Sequence, residues 1–177
     1  MECLLKQIDV VDEPADALIY STNVLLNSSG GVGSCLVEKY GRHVQDDLHQ
    51  ILKDQDRKFA NQGEVFEMVS EGMPYKKVFH TVPNDPVYNT DTMIVESILC
   101  FCLTSANDDP EVETVAVSAL ATGYGKLYFD EFFRTVDKVV RENDYPNLQT
   151  LTVCVYDEYS YGLACEQIGV EGMVIGN

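Results

Sequence analysis

The chain has 177 residues, with 12 Lys or Arg against 29 Asp or Glu and a formal net charge of -17. That acidic excess argues against nucleic-acid binding, which rests largely on Lys and Arg neutralising phosphates. No apolar run approaches the ~20 residues needed to span a bilayer and the N-terminus lacks a signal-peptide plan, so an intracellular, cytoplasmic protein with no membrane partner is expected. The length suits one domain over residues 1–177, able to bury roughly two-thirds of its unfolded surface.

Residues 4–10 and 17–21 read as the first two strands. Leu36, Val37, Tyr40, Val44, Leu48 and Ile51 then recur at helical spacing, which predicts one helix over residues 34–53. Strands follow at 64–69 and 77–82, then a helix at 91–105 closed by Asn107-Asp108-Asp109-Pro110. A strand at 114–119 precedes a helix at 130–143, whose stripe of Phe132, Phe133, Val136, Val139 and Val140 reads as core packing. A last strand at 151–156 leads to a helix at 158–168, and the segment 169–177 is compatible with one more strand. Strands separated by helices favour a largely parallel sheet covered on both faces, with ligands near the carboxyl ends of the strands.

The six cysteines match no zinc template and read as free thiols packed in the interior. His43 and His49, six positions apart, do not share a helix face, and His80 reads as a satisfied histidine in a strand. No metal and no cofactor is expected. Oligomeric state has no visible signal.

The segment after the second strand carries the chemistry. Asn23-Val24-Leu25-Leu26-Asn27-Ser28-Ser29-Gly30-Gly31-Val32-Gly33-Ser34 runs from a strand through small residues straight into a helix. Such a turn exposes backbone N–H groups at the positive end of the helix dipole, a geometry that binds phosphate. It contains no Lys or Arg, so backbone amides must do most of the holding.

Four separated segments resemble the macrodomain family, the ADP-ribose-binding α/β/α module. Ile8-Asp9-Val10 is similar to the family's Gly-Asp-Ile. Asp16-Ala17-Leu18-Ile19-Tyr20-Ser21-Thr22-Asn23 resembles Asp-Ala-Ile-Val-Asn-Ala-Ala-Asn, with a glycine triplet downstream. Met73-Pro74-Tyr75-Lys76-Lys77-Val78-Phe79-His80 resembles Leu-Pro-Ala-Lys-Tyr-Val-Ile-His, and Ser118-Ala119-Leu120-Ala121-Thr122-Gly123-Tyr124-Gly125 looks like the family's second phosphate loop, one residue short. The departures are Ile8 for a glycine, Tyr20 for the first asparagine and Ser29 where the glycine triplet begins. The implied fold is a three-layer α/β/α arrangement around a mixed, largely parallel sheet.

The resemblance implies a ligand site made of Ile8, Asp9, Asn23, Ser29, Gly30, Gly31, Val32, Gly33, Ala121, Thr122, Gly123, Tyr124, Gly125, Tyr156 and Asp157. Asp9 would accept a hydrogen bond from the adenine amine, as an ionised carboxylate can only accept. Tyr156 would lay its ring against the base, the other reading being a strand-end core tyrosine. The turns at 30–33 and 122–125 would each wrap a phosphate. Asn23 would bond the distal ribose or, alternatively, brace its own loop; Tyr124 would cover the same sugar or be an exposed loop residue.

The resemblance implies binding of ADP-ribose or an ADP-ribosylated protein. A second reading is hydrolysis of mono-ADP-ribose or ADP-ribose esters, with Asn23 as the candidate catalytic residue. One family branch places an aspartate ten residues after the ribose asparagine, where this chain has Gly33. The third reading, drawn from Ile8, Tyr20 and Ser29, is a protein-interaction domain with a degenerate pocket.

Overall fold

The computed structural model describes residues 1–171 and 174–176. In chain order the elements are β1 (Glu2–Gln7), β2 (Ala17–Ser21), α1 (Gly31–Tyr40), α2 (His43–Asp54), β3 (Val65–Glu67) and β4 (Lys77–Thr81). They continue as α3 (Thr92–Asn107), β5 (Thr114–Ser118), α4 (Phe129–Glu142), β6 (Thr150–Val155), α5 (Glu158–Glu171) and β7 (Val174–Ile175). The strands form one sheet in the order β3-β4-β2-β5-β6-β1-β7, parallel except for β3 against β4.

Side-chain alternation divides the core between the two faces. Ala17, Ile19, Phe79, Val115, Val117, Leu151 and Val153 join Leu99 and Leu103 of α3, Phe132, Phe133 and Val136 of α4 and Ala164 of α5 in one cluster. Leu18, Tyr20, Val78, Ala116 and Cys154 point the other way, to Leu36 of α1 and Val44 of α2. The result is a three-layer α/β/α fold around a mixed, largely parallel sheet. Among the described residues no helix is long and apolar enough to cross a membrane.

Asp16 staples the far end of the sheet from its loop before β2. Its Oδ2 accepts from the amides of Glu113 and Thr114 and from Thr114 Oγ1, each at 3.0 Å, and its Oδ1 pairs with Lys76 at 2.9 Å. Partial burial pushes this carboxyl up, but Lys76 and the donors at 113 and 114 outweigh it and hold it at about 2.

Several boundaries differ from the sequence reading. The predicted helix over 34–53 is two helices: Gly41, with φ 109, ends α1 with its N–H on the Val37 carbonyl, and α2 restarts at His43. A φ in that range favours glycine. The first strand ends at Gln7 because the chain turns at Asp9, whose Oδ1 accepts the Val11 amide at 3.1 Å. Val10 and Val11 are apolar since they bury beneath that turn beside Tyr75. The tail does add a strand, with Val174 and Ile175 opposite Leu4 and Leu5.

Candidate functional site

Because β1, β6, β5, β2 and β4 are parallel, their carboxyl ends lie along one edge. A cleft of about 770 Å³ opens along that edge. Ile8, Asp9, Asn23, Ser29, Gly30, Gly31, Val32, Gly33, Ala121, Thr122, Gly123, Tyr124, Gly125, Tyr156 and Asp157 all line it. Residues separated by up to 149 positions in the chain thus meet in one place, and among the described residues no Lys or Arg lines it.

The first turn enters α1 without a side-chain cap. Among the described residues the amides of Gly31, Val32 and Gly33 have no acceptor, as the first N–H groups of a helix require outside partners. These donors sit where the helix dipole is equivalent to about half a positive charge. Gly33 is required by proximity: a Cβ there would come 2.9 Å from Ser28 Cα. The Tyr124 side chain reaches the first turn from the second: a Cβ on Gly30 would lie 3.4 Å from its hydroxyl oxygen.

Among the described residues, three of the four non-glycine residues with positive φ lie in turns bordering this cleft: Leu26 at φ 53, Tyr88 at φ 64 and Ala121 at φ 62. Asn23 holds the Leu26 turn. Its Oδ1 accepts from the amides of Leu25 at 3.0 Å and Asn27 at 3.2 Å, and its Nδ2 donates to the Asn27 carbonyl at 2.9 Å. This is the bracing arrangement, with one N–H of the amide still available. Ala121 is held by its amide donating to Ser21 Oγ at 3.3 Å.

Sequence reasoning missed the residues that support the first turn from behind. Gln45 of α2 accepts the Ser28 amide at 2.5 Å and donates to the Leu26 carbonyl at 2.7 Å. His49, also on α2, donates from Nε2 to Asn27 Oδ1 at 2.9 Å. Nothing local in the sequence signals either contact, because both depend on how α2 packs beside the loop. Asn84 and Tyr88 also line the cleft and carried no motif.

At the β1 end Asp9 is half-buried, and one of its oxygens is committed to Val11. Tyr156 is 76% exposed and so is not a core tyrosine. Asp157 caps α5, accepting the Ser160 amide at 2.8 Å, and the Ser160 donors hold its carboxyl below the usual range. Of the departures from the family pattern, Ile8 and Ser29 line the cleft, whereas Tyr20 turns into the core. Tyr20 donates to His80 Nδ1 at 2.5 Å, and His80 Nε2 donates to the Met68 carbonyl at 3.0 Å.

The six cysteines are free thiols, and burial raises those of Cys102 and Cys154 well above their ordinary range. Among the described residues no group of His, Cys, Asp and Glu is placed to hold a metal ion.

The Macro domain family model matches residues 19–136. The chain belongs to the macrodomain family. This macrodomain is 24% identical over 164 residues to an uncharacterized protein of Sulfolobus acidocaldarius, covering 92% of this chain and 88% of the relative. It is 26% identical to another from Saccharolobus solfataricus, covering 91% and 89%. Among solved structures it is similar to a Trypanosoma brucei macrodomain in complex with ADP-ribose, with TM-score 0.77, 17% identity and coverage of 95% of this chain and 69% of that one. A mutant Oceanobacillus iheyensis macrodomain with ADPR superposes with TM-score 0.73 at 17% identity, covering 93% and 90%.

Proposed function

We propose that this macrodomain binds ADP-ribose, free or carried on a modified protein. The observation that carries the reading is the pair of turns that line one cleft. Uncapped amides begin α1, the Tyr124 side chain of the 122–125 turn reaches Gly30 beside them, and among the described residues no Lys or Arg lines the cleft. A diphosphate suits that arrangement, because N–H groups and a helix dipole bind anions where no ammonium or guanidinium is offered.

The two ends of the cleft suit the rest of the ligand. Asp9 supplies a carboxylate acceptor for an adenine amine, and the exposed ring of Tyr156 supplies a stacking surface nearby. The relatives of similar fold include proteins solved with ADP, ADPR and ADP-ribose. The degenerate-pocket reading is weakened by Tyr20, whose large ring lies in the core and leaves the cleft open.

Binding is preferred over hydrolysis for a specific reason. Asn23, the candidate for a catalytic part, spends most of its amide inside its own loop. Calorimetry with ADP-ribose, ADP and AMP tests the proposal: ADP-ribose is expected to bind most tightly, and failure to bind it defeats the reading. A companion single-turnover assay on a mono-ADP-ribosylated protein is expected to show no release above the uncatalysed rate. Release that is lost in Asn23→Ala would instead establish the hydrolytic reading.

A further inference from the structure

One end of the cleft is built from a segment outside the motif-bearing stretches. After β4 the chain turns through residues 83–90 and contributes Asn84 and Tyr88 to the lining. Asp85 organises this turn. Its Oδ1 accepts from the amides of Val87 at 2.9 Å and Asn89 at 2.8 Å, and its Oδ2 accepts from Asn89 Nδ2 at 3.0 Å. Lys126 donates to Asn89 Oδ1 at 2.7 Å and so ties the turn to the one after β5.

Two features of the turn bear on the cleft. Tyr88 keeps a left-handed φ of 64, unfavourable for a bulky residue, while its ring stays 46% exposed at the cleft. That ring stands 6.1 Å from the ring of Tyr124, centroid to centroid. Asn84 shows the opposite combination: it is only 8% exposed, yet its Oδ1 is enclosed without a hydrogen-bond partner. A Cβ on Gly125 would come 2.7 Å from that oxygen. An unpaired buried amide oxygen is unfavourable, and strain of the Tyr88 kind persists mostly where a site uses it.

The sheet order gives these residues their place on the ligand. From one end to the other the cleft crosses β1, β6, β5, β2 and β4. Asp9 and Tyr156 stand at the β1 and β6 end, the two phosphate turns follow β5 and β2, and Asn84 and Tyr88 follow β4. Four strand intervals of about 4.8 Å span about 19 Å. With adenine beside Asp9 and the diphosphate on the turns, the remaining sugar extends toward β4.

We propose that Asn84 and Tyr88 are specificity-determining residues that read the terminal ribose, the sugar that distinguishes ADP-ribose from ADP. The proposal rests on the ADP-ribose reading above. A ribose hydroxyl both donates and accepts, and so complements the two ends of an asparagine amide. The terminal torsion of asparagine is soft, so the amide turns toward the cleft without moving β4. The Tyr88 ring, backed by Tyr124, covers the less polar face of the sugar.

The test is calorimetry of wild type, Asn84→Ala and Tyr88→Gly with ADP-ribose and with ADP, alongside thermal melts. Glycine relieves the left-handed backbone, so Tyr88→Gly is expected to melt no lower than wild type. Each variant is expected to lose about tenfold or more in affinity for ADP-ribose while its affinity for ADP stays within about twofold. Equal losses for both nucleotides, or unchanged affinity for ADP-ribose in Tyr88→Gly, overturn the proposal and leave ADP-ribose binding standing. A wild type that binds neither nucleotide overturns both readings together.

Discussion

Acidification is expected to destabilise this macrodomain through a single buried imidazole. His80 has no exposed surface. The Met68 carbonyl can only accept, so His80 Nε2 carries the proton and Nδ1 accepts from the Tyr20 hydroxyl. Protonating Nδ1 would bury a charge and turn an acceptor into a donor facing Tyr20. Burial accordingly lowers the imidazole from 6.5 to about 4.

The sign follows from which state binds the proton first. As pH falls, the unfolded chain protonates this histidine near 6.5 and the folded chain only near 4. The stabilisation is therefore complete above about 6.5 and is lost progressively toward 4, amounting to about 3 kcal/mol over the interval. Urea unfolding followed by circular dichroism at about pH 7 and about pH 4.5 captures most of the effect. Carboxylates titrate in the same interval, so the same pair of measurements on His80→Gln supplies the reference. Wild type is expected to lose about 2–3 kcal/mol more than the variant on acidification. An equal loss in both proteins, or an NMR titration placing folded His80 near its ordinary value, would refute the reasoning.

Removing the support behind the turn that enters α1 should loosen it: Gln45→Ala leaves the Ser28 amide and Leu26 carbonyl without their partner, at about 1–3 kcal/mol. A thermal melt is expected to fall by about 2–4 °C for each kcal/mol in a chain of this size, with weaker ADP-ribose binding measured in parallel. Gly33→Ala brings a Cβ against Ser28 Cα, so ADP-ribose affinity is expected to drop by about tenfold or more; calorimetry at full affinity would contradict the close packing. Asp9→Asn keeps an acceptor for the Val11 amide but removes the charge, and is expected to weaken ADP-ribose by about 10- to 100-fold without changing the melt. With a net charge of -17, stopped-flow association of the anionic ligand is expected to quicken as salt screens repulsion; rates that fall with salt would reveal a local positive field.

Much of the arrangement was legible in the sequence because its requirements are local. Alternating apolar strands and amphipathic helices determined a covered parallel sheet, and Gly30, Gly31 and Gly33 at a strand-to-helix junction marked the first turn. The Phe132 and Phe133 stripe lies in the core as its spacing implied. Gly41 was visible too, but helical periodicity continued across it, so the break between α1 and α2 was concealed.

What the sequence by itself determined is the kind of surface each segment presents: which strand face is apolar, which turns leave amides free, which helix buries a stripe. Only the tertiary structure decided which distant groups meet. Gln45 supports the loop after β2 because α2 packs behind it, although 17 and 19 positions separate it from Ser28 and Leu26. Asn84 enters the cleft because β4 is the sheet neighbour of β2, an adjacency set by sheet order. Hydrogen-bond partners separated by tens of residues leave no periodic trace along the chain, since it is the packing of whole elements that brings them within reach.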